Sequence, residues 1–584
     1  MEPVPSANTA PSNTKEVLNG EVLISADTAP NGANGAVHEP RSDANANVPN
    51  DVIQCDCLIV GAGFSGITAI HRFRQLGLKV KCFESGGDFG GVWYWNRYPG
   101  ARVDSEAPFY QLNIPEVYRH WHFNQRFSDH KELRQYMAHI DKTLDLRKDT
   151  FFNARVVDAS WDQQANLWTI KTTAGHIAQA KYLMLTSGLL HRTYTPDFPG
   201  LENYKGEIHH SSAWPEDFSA KGKKVAIIGA GATAVQITQE LGKEADELTV
   251  FLRRPSYCLA MKQRTWTEEE QHTLKAFYPA MFKAGRDSAA GFPSARQEVG
   301  VGDVSTEERE ALFEDLWRRG GFNFAISNYN NVALDKDANK VVYDFWRRKV
   351  CERLTDPAKQ KIMAPEIAPY YFGTKRTPLE QDYYEVLNQP NVSIHELGKA
   401  PLKSFTEKGL LMDDGTEYDV DAVALATGFD SYSGSLTAMG LKDKNGTELA
   451  QSWKENGIST YLGIMMAGFP NLFMAYTPHA PTALSNGPTI IEAQVETVAA
   501  IIAKLQAENG KTIEPQHAAE EAWKQEIDTM SKYTLIPYTD SWWNGANIPG
   551  KARQNMIYVG GINTYEQRMK DAIAGWTGFD VATA

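Results

Sequence analysis

The chain has 584 residues, and its hydrophobic content of 42% and charged content of 22% are typical of a globular protein with about two to four domains. Its net charge of -13 argues against a nucleic-acid partner. Five scattered cysteines, with no Cys-x-x-Cys pair, exclude a disulfide framework and a dithiol redox centre, and no apolar run is long enough for a membrane span. We therefore predict a cytoplasmic monomer that needs neither a metal, a membrane nor a nucleic acid.

The first 50 residues are rich in Ala, Asn, Pro, Ser and Thr and contain almost no aromatic residue. Such a segment buries too little apolar surface to offset the conformational entropy lost on folding. We predict a disordered extension over residues 1–50.

The next segment predicts a dinucleotide-binding unit. The β-type run Asp56–Val60 leads into the sequence GAGFSG at 61–66, and a helical pattern and a second strand ending on Glu84 follow. In this motif the first glycine makes the turn, the second admits a pyrophosphate and the third lets the helix pack closely on the strand. An acid about twenty residues on accepts hydrogen bonds from ribose hydroxyls. The predicted cofactor-binding residues are Gly61, Gly63, Phe64, Ser65, Gly66 and Glu84.

A glycine- and aromatic-rich stretch, GGVWYWNRYPGARVD, occupies residues 90–104. Paired glycines let a backbone approach a flat ligand, and the two indole rings offer large apolar faces. The terminal Asp104 would then lie close to the ligand. Taken alone, the stretch is equally compatible with a surface loop anchored by core aromatics, but its position after the first unit favours a ligand site. The predicted cofactor-binding residues here are Gly91, Val92, Trp93, Asp104 and Tyr110.

A second dinucleotide motif follows the strand Lys224–Ile228, with the sequence GAGATA at 229–234. The next strand, Leu248–Leu252, ends on Arg253 and Arg254 where the first unit has an acid. An acid there repels a 2′-phosphate, whereas arginine binds it bidentately, so we predict NADP on this unit and an unphosphorylated dinucleotide on the first. A solvated strand end is the alternative interpretation of the two arginines. The predicted cofactor-binding residues are Gly229, Gly231, Ala232, Thr233, Ala234, Arg253 and Arg254.

Helix-capping signatures at Thr267–Glu270 and Ser305–Glu308 predict a helical insertion in the second unit. Strands at 391–394 and 410–421 should close that unit. The apolar run Val423–Asp430 ends in Thr-Gly like the run 181–188, and we predict that it returns the chain to the first sheet.

A clear helix is predicted from about Thr489 to Leu505, and its N-terminus suits an anionic ring edge. Ser485 and Asn486, just before it, are therefore predicted to bind a cofactor. The fold class predicted is α/β, with two Rossmann-like dinucleotide-binding domains. The predicted boundaries are 1–50 for the extension, 51–190 and 423–584 for the first dinucleotide-binding domain, 191–257 and 370–422 for the NADP domain, and 258–369 for the insertion.

These motifs resemble those of the type I Baeyer–Villiger monooxygenases. Residues 90–104 match the longer fingerprint of that family position for position. The segment YKGEIHHSSAWP at 204–215 resembles its shorter fingerprint, FxGxxxHxxxWP, with Tyr204 in place of the phenylalanine. The resemblance spans residue 50 to the C-terminus. It implies that NADPH reduces FAD, that O2 adds at flavin C4a, and that the resulting peroxyanion converts a ketone into an ester or lactone.

The resemblance also implies roles for single residues. Arg376, in the sequence GTKR, corresponds to the catalytic arginine, and Asp104 to its carboxylate partner. An arginine suits this role because its pKa above about 12 prevents it from giving up a proton. Lys375 corresponds to a 2′-phosphate contact, and Trp542 to a tryptophan near the nicotinamide ribose.

Three other classes of flavoprotein remain as alternatives. An N- or S-oxygenating monooxygenase shares both nucleotide folds but has less need of the Asp104–Arg376 pair. A flavin disulfide reductase needs paired cysteines, which are absent from this sequence. A nucleotide-sensing flavoprotein would keep the glycines but would not require Asp104, Arg376 and Trp542 together. The substrate itself cannot be assigned from the sequence.

Overall fold

The computed structural model describes residues 51–583, so the disorder predicted for residues 1–50 lies outside the described residues. Helices and strands are interspersed along this range. The strands are β1 (Ile53–Val60), β2 (Val80–Phe83), β3 (Thr150–Phe151), β4 (Val156–Asp162), β5 (Leu167–Thr172), β6 (Ile177–Leu185), β7 (Glu207–His210), β8 (Lys224–Ile228), β9 (Glu247–Leu252), β10 (Leu259–Ala260), β11 (Leu379–Glu380), β12 (Val392–Glu396), β13 (Leu402–Phe405), β14 (Gly409–Met412), β15 (Glu417–Asp419), β16 (Ala422–Leu425), β17 (Leu472–Met474), β18 (Gly510–Pro515) and β19 (Phe579–Thr583). The helices are α1 (Phe64–Gln75), α2 (Val92–Trp95), α3 (Pro115–Tyr118), α4 (His130–Leu144), α5 (Ala232–Leu241), α6 (Glu268–Lys275), α7 (Tyr278–Arg286), α8 (Thr306–Arg319), α9 (Asn323–Ile326), α10 (Lys336–Cys351), α11 (Pro357–Met363), α12 (Tyr383–Leu387), α13 (Gly434–Thr437), α14 (Leu449–Asn456), α15 (Gly487–Ala507), α16 (His517–Lys532) and α17 (Ile562–Ala574).

The first sheet has seven strands in the order β3-β2-β1-β6-β5-β4, and β17 also pairs with β6. Strands β3, β2, β1, β6 and β17 are parallel, whereas β4 and β5 form an antiparallel meander on β6. The parallel strands end in register, with Val60 opposite Phe83 and Leu185. The loops that follow them therefore meet at one edge, which is where open α/β sheets bind ligands.

The second sheet has the order β12-β9-β8-β16-β7, and all its strands are parallel. Its central strands are buried on both faces, as expected for a parallel sheet covered by helices. Ile228 at the end of β8 lies opposite Phe251 and Leu425. The glycine-rich loop at 229–234 and the arginines after β9 therefore share one edge. Two parallel sheets, each with its own glycine-rich loop, confirm the predicted fold class.

The prediction for the run Val423–Asp430 was wrong. Strand β16 pairs with β7 and β8 in the second sheet, and the strand that returns to the first sheet is β17. The segment 410–421 also lies outside both parallel sheets, because β14 and β15 form an antiparallel sheet with β13. The apolar composition and the small residues at the end of the run, which suggested the first sheet, are shared by β6 and β16, two interior strands of different sheets. The domain boundaries of the sequence analysis stay predictions.

The segment between β10 and β11 contains helices α6 to α11. Both predicted capping boxes are present: the Thr267 and Ser305 side chains accept from the N–H of Glu270 and Glu308, whose carboxylates bond back. Trp346 of this insertion packs against the rings of Tyr257 and Tyr343, in the hydrophobic core that also contains strands of the second sheet. Within residues 51–583, every helix is too short or too polar to span a bilayer.

Candidate active site

The loop after β1 is shaped by contacts that leave no space for side chains. Gly61 has a φ of +105°, and a Cβ there would lie 2.6 Å from the Thr186 carbonyl oxygen. A Cβ on Gly66 would lie 1.9 Å from the Gly61 carbonyl oxygen, so the third glycine allows α1 to pack on the loop. The first three N–H groups of α1, on Phe64, Ser65 and Gly66, have no acceptor inside the helix. They form the site that a phosphate group prefers.

Glu84, at the end of β2, is buried at the same edge of the sheet. Its carboxylate accepts hydrogen bonds from the backbone N–H groups of Ala62 and Gly86, both at 2.6 Å. Burial raises the pKa of this carboxyl, and the two backbone hydrogen bonds oppose that rise. Glu84 thus holds the glycine-rich loop in place through two of its backbone N–H groups.

The stretch 90–104 packs against the glycine-rich loop that follows β1. Gly91, with a φ of +56°, packs against Gly63, and a Cβ on Gly91 would lie 3.0 Å from the Gly63 Cα. Val92 and Trp93 begin the short helix α2, and Trp93 is buried. The Trp93 indole donates a 3.0 Å hydrogen bond to the Tyr110 hydroxyl. The two glycine-rich segments thus touch backbone to backbone and form a cradle without side chains.

The loop after β8 has the same kind of glycine-rich turn as the loop after β1, with one difference. Gly229 has a φ of +139°, and a Cβ there would lie 2.3 Å from the Ala426 carbonyl oxygen, whereas a Cβ on Gly231 would have no atom within 4 Å. Gly231 therefore borders open space. The N–H groups of Ala232, Thr233 and Ala234 open α5 beside it.

Three cations lie near this loop. Arg253 and Arg254 follow β9 and are exposed, and Lys375 is largely buried with its ammonium 4.5 Å from the centre of the Tyr370 ring. Burial and the neighbouring arginines lower the pKa of Lys375 to about 8. Among the described residues none of the three forms an ion pair. A group of unpaired cations, in which the two arginines lower the pKa of the lysine, is the arrangement that a phosphate dianion stabilises.

Asp104 and Arg376 form a bidentate ion pair. Arg376 donates from Nε to Asp104 Oδ2 at 3.0 Å and from Nη2 to Asp104 Oδ1 at 2.6 Å. A third hydrogen bond, from Nη1 to the Ala483 carbonyl oxygen at 3.1 Å, ties the guanidinium to the loop before α15. The guanidinium carbon also lies 4.9 Å from the centre of the Phe322 ring. Arg376 is therefore held on three sides.

The electrostatics of this pair favour a permanent positive charge. Burial lowers the pKa of Arg376, but the attraction of Asp104 exceeds that effect, so the net pKa is raised. Tyr110 and Tyr476 lie close enough to interact with the pair, and burial raises the pKa of both phenols. The site thus keeps one fixed cation among neutral hydroxyl groups at ordinary pH.

Tyr476 is a residue of this site that the sequence analysis missed. It follows β17 with a φ of +60°, and its N–H donates a 2.8 Å hydrogen bond to the buried Gln494 side chain. A left-handed conformation is costly for a tyrosine, so the surrounding contacts must hold it there. No local sequence signal predicts such a conformation. Ala483, whose backbone binds Arg376, and Phe322, which covers it, were missed for the same reason.

The remaining predicted residues lie around the pair. Asn486 precedes α15 and donates to the Phe109 carbonyl at 2.8 Å, while its Oδ1 is buried without a partner among the described residues. Ser485 donates to the Pro481 carbonyl at 2.5 Å. The Trp542 ring lies 5.5 Å from the Tyr432 ring, in the segment that connects α16 to α17. Among the described residues, no hydrogen bond or cation–π contact joins Trp542 to Arg376.

These features fit an unphosphorylated and a 2′-phosphorylated dinucleotide. The side-chain-free cradle at Gly63 and Gly91, the free N–H groups of α1 and the Glu84 carboxylate suit FAD. The open space at Gly231 and the three unpaired cations suit NADPH. The orphaned Asn486 Oδ1 at the start of α15 is a buried acceptor that a bound ligand can satisfy.

Comparison with known proteins places this geometry in a family. A model of flavin-binding monooxygenase-like proteins matches residues 55–269. The FAD-binding monooxygenase acrE of Aspergillus aculeatus is 41% identical over 541 residues, which cover 92% of this chain and 91% of that protein. Cyclopentanone 1,2-monooxygenase of Comamonas sp. is 36% identical and covers 92% of this chain and 97% of its own.

Two further matches bear on cofactor and reaction. Phenazine N-monooxygenase PhzNO1 of Lysobacter antibioticus is 36% identical, over 91% of this chain and 98% of its own. The crystal structure of cyclohexanone monooxygenase from Rhodococcus sp. Phi1 bound to NADP+ superposes with a TM-score of 0.88 at 33% identity, over 91% of this chain and all of that one. With the two nucleotide sites, these similarities show that the chain belongs to the FAD- and NADPH-dependent Baeyer–Villiger monooxygenases.

Proposed function

We propose that this protein oxidises a ketone to an ester or lactone, with NADPH as the electron donor and O2 as the source of the inserted oxygen atom. The observation that carries the proposal is the Asp104–Arg376 ion pair, which joins the stretch 90–104 to the GTKR sequence. Bound FAD supplies the redox chemistry, because it takes up hydride from NADPH and delivers the electrons to O2.

Arg376 is the residue proposed to act on the reacting atoms. Its guanidinium is a permanent cation with several N–H donors, and Asp104 and Ala483 orient it without using all of them. Preorganised donors of this kind stabilise negative charge that develops on oxygen in the transition state. Because Arg376 holds its protons throughout, it stabilises the charge without protonating it.

Asp104 is proposed as the residue that positions Arg376. Two hydrogen bonds fix the plane of the guanidinium, and the carboxylate moderates its positive charge. Asp104 also belongs to the stretch 90–104 that lines the flavin cradle. One carboxylate thereby links the position of the cation to the backbone that would hold FAD.

Binding of the two cofactors is divided between the two halves. We assign FAD to the loop 61–66, Glu84 and the stretch 90–104. We assign NADPH to the loop 229–234 and to Arg253, Arg254 and Lys375, with the 2′-phosphate near the lysine. The Trp542 ring lies beside the Tyr432 ring, and we assign Trp542 to the part of the site that would hold the nicotinamide of NADPH.

A direct assay tests the reaction. Purified protein is incubated with NADPH, O2 and a panel of linear, cyclic and aryl ketones, and the products are identified by mass spectrometry. We expect an ester or lactone that contains one atom of 18O when the assay is run under 18O2. NADPH oxidation that yields only hydrogen peroxide with every ketone would contradict the proposal.

The same assay includes aromatic N-heterocycles and sulfides, because one relative is named as an N-monooxygenase. N-oxide formation without any ester would assign the protein to that reaction instead. A cytoplasmic monomer is also proposed, and light scattering of the purified protein after gel filtration tests the oligomeric state.

A further inference from the structure

A small cavity lies beside the Asp104–Arg376 pair. It has a volume of about 70 Å³, and Asp104, Phe109, Phe292, Phe322 and Ile326 line it. Phe322 is also the ring that covers the Arg376 guanidinium. A ketone whose carbonyl faces Arg376 would therefore place its carbon atoms against these aromatic and aliphatic side chains.

A larger cleft opens on the other side of Phe109. It has a volume of about 500 Å³ and lies between α7, α15 and α17, and we call it the polar cleft. Four carboxylates and three cations line it: Asp287, Glu492, Glu496, Glu566, Lys283, Arg286 and Lys570. The two cavities share one lining residue, Phe109.

Phe109 lines both cavities, and hydrogen bonds fix its backbone on both sides of the ring. Its N–H donates to the Glu106 carbonyl at 2.9 Å, and its carbonyl accepts from Asn486 Nδ2 at 2.8 Å. The ring is only partly buried and makes an edge contact with Phe292, at 6.1 Å between ring centres. A rotamer change of this ring would reshape both cavities while the backbone hydrogen bonds stay in place.

The volumes favour a joined site. Small-molecule pockets in proteins usually have volumes of about 300–1,000 Å³, so the cavity beside Arg376 is too small to enclose a ketone of drug-like size. The polar cleft alone falls within that range, and Phe109 is the residue that its lining shares with the cavity beside Arg376.

The charges of the polar cleft restrict what can bind there. Arg286 is already paired with Glu496 at 2.5 Å and with Glu566 at 2.8 Å, and Lys283 with Asp287 at 2.5 Å. The cations are thus occupied, whereas Glu492 accepts only one backbone hydrogen bond, from Asn113 at 2.5 Å. The cleft therefore offers acceptors to a hydrogen-bond donor and no free cation to an anion.

We infer that the ketone site continues past Phe109 into the polar cleft, so that the protein accepts ketones with a long arm ending in a hydroxyl or amine. Phe109 is then a specificity-determining residue, because its ring decides whether the arm has room. This inference rests on the proposed function and names the class of ketone that the same site takes.

The test compares kcat/KM for cyclohexanone with kcat/KM for cyclohexanone that bears a hydroxyhexyl chain at C4. In Phe109→Ala we expect the ratio of the long to the short ketone to rise about tenfold, mainly through KM, since space for a few methylene groups is worth that much or more. In Phe109→Trp the ratio should fall. Phe277→Ala, a change of an exposed phenylalanine on neither cavity, should keep the wild-type ratio.

Different experimental results would contradict this inference and the proposed function. If wild-type protein oxidises cyclohexanone but both Phe109 variants keep the wild-type ratio within twofold, the inference is wrong and the function stands. If no ketone is oxidised, the proposed function fails. Flavin content and melting temperature verify folding, and Phe109→Leu replaces any variant that fails to bind flavin.

A third set of substrates tests the polar end of the arm. Arms of equal length that end in a hydroxyl, a methyl or a carboxylate are compared in wild-type protein. We expect the lowest KM for the hydroxyl and the highest for the carboxylate. Equal KM values for all three would show that the arm does not enter the polar cleft.

Discussion

Arg376 and Asp104, 272 residues apart in the chain, are joined by hydrogen bonds of 3.0 and 2.6 Å, and Arg376 is joined to Ala483 by a third. One guanidinium therefore connects three distant segments: the glycine- and aromatic-rich stretch, the GTKR sequence and the loop before α15. Its position depends on contacts with all three, so a substitution that removes one of these hydrogen bonds should affect oxygen insertion.

Arg376→Ala should separate NADPH oxidation from ester formation. The variant keeps both glycine-rich loops, so NADPH oxidation should persist, whereas ester formation should fall by roughly 100- to 1,000-fold because a preorganised donor is lost. The measurement is the amount of ester formed per NADPH consumed, with hydrogen peroxide quantified in parallel. Arg318→Ala, which removes an exposed arginine, is the control. Near wild-type ester yield in Arg376→Ala would rule out the proposed role.

Gly229→Ala should impair folding, whereas Gly231→Ala, two residues away, should impair NADPH binding and leave the stability unchanged. A Cβ at Gly229 would collide with the Ala426 carbonyl, and its φ of +139° disfavours alanine, so this variant should lose thermal stability and fold poorly. Gly231→Ala meets no protein atom within 4 Å and should melt like the wild type. Its KM for NADPH should rise at least about tenfold if the pyrophosphate binds there. A wild-type KM in Gly231→Ala would place the pyrophosphate elsewhere.

The kcat/KM for NADPH should decline at alkaline pH. The pKa of Lys375 is lowered to about 8 by burial and by Arg254 and Arg253, so the ammonium loses its proton as the pH rises from 7 to 9. Because a 2′-phosphate dianion binds the charged form, kcat/KM for NADPH should fall through this range, while kcat/KM for NADH should not follow it. In Lys375→Arg the decline should disappear, since arginine stays charged. A parallel decline for NADPH and NADH would exclude this cause.

Glu492→Gln should stabilise the protein above neutral pH. Burial, with a smaller contribution from Glu496, raises the pKa of Glu492 to about 7 from its ordinary 4.5, so the folded state binds this proton more tightly than the unfolded state. The preferential protonation of Glu492 in the folded state therefore contributes fully to stability below about pH 4.5. This contribution is lost as the pH rises from about 4.5 to about 7. Glutamine keeps the acceptor for the Asn113 N–H and avoids the buried charge.

The expected gain for Glu492→Gln at pH 8 is at most about 3 kcal/mol in the free energy of unfolding, and it should vanish near pH 4.5. Urea denaturation at both pH values measures the difference. A variant that is less stable than wild type at pH 8 would show that the carboxylate is stabilised by Arg286 and Arg72 more than burial disfavours it.

The parts of the fold that the sequence predicted are those specified by local chemistry. Gly61 and Gly229 are required by backbone conformations that other residues rarely adopt, and the capping boxes use side chains three residues apart. The assignment of strand β16 failed because an apolar strand carries no label for the sheet it joins. That choice depends on pairing with β7 and β8, which is set by the whole fold.

The site was predictable only where a motif exists. Asp104 and Arg376 were identified by resemblance to a family, and their contact cannot be derived from either segment alone. Tyr476, Phe322 and the Ala483 carbonyl reach the site through tertiary packing, with the left-handed backbone of Tyr476 held by Gln494. The roles of the predicted cofactor residues stay predictions for the experiments above.

The pairing of strand β6 with the much later strand β17 matters during synthesis of the protein. Its Leu183–Leu185 segment pairs with β17, so the first sheet is complete only after residues 472–474 have left the ribosome. Until then, a nascent chain exposes the backbone of a parallel strand, and such an edge invites pairing with other chains. A fragment that ends near residue 190 keeps this edge open permanently. We therefore expect such a fragment to aggregate during expression, whereas the full-length chain closes the edge with its own later segment.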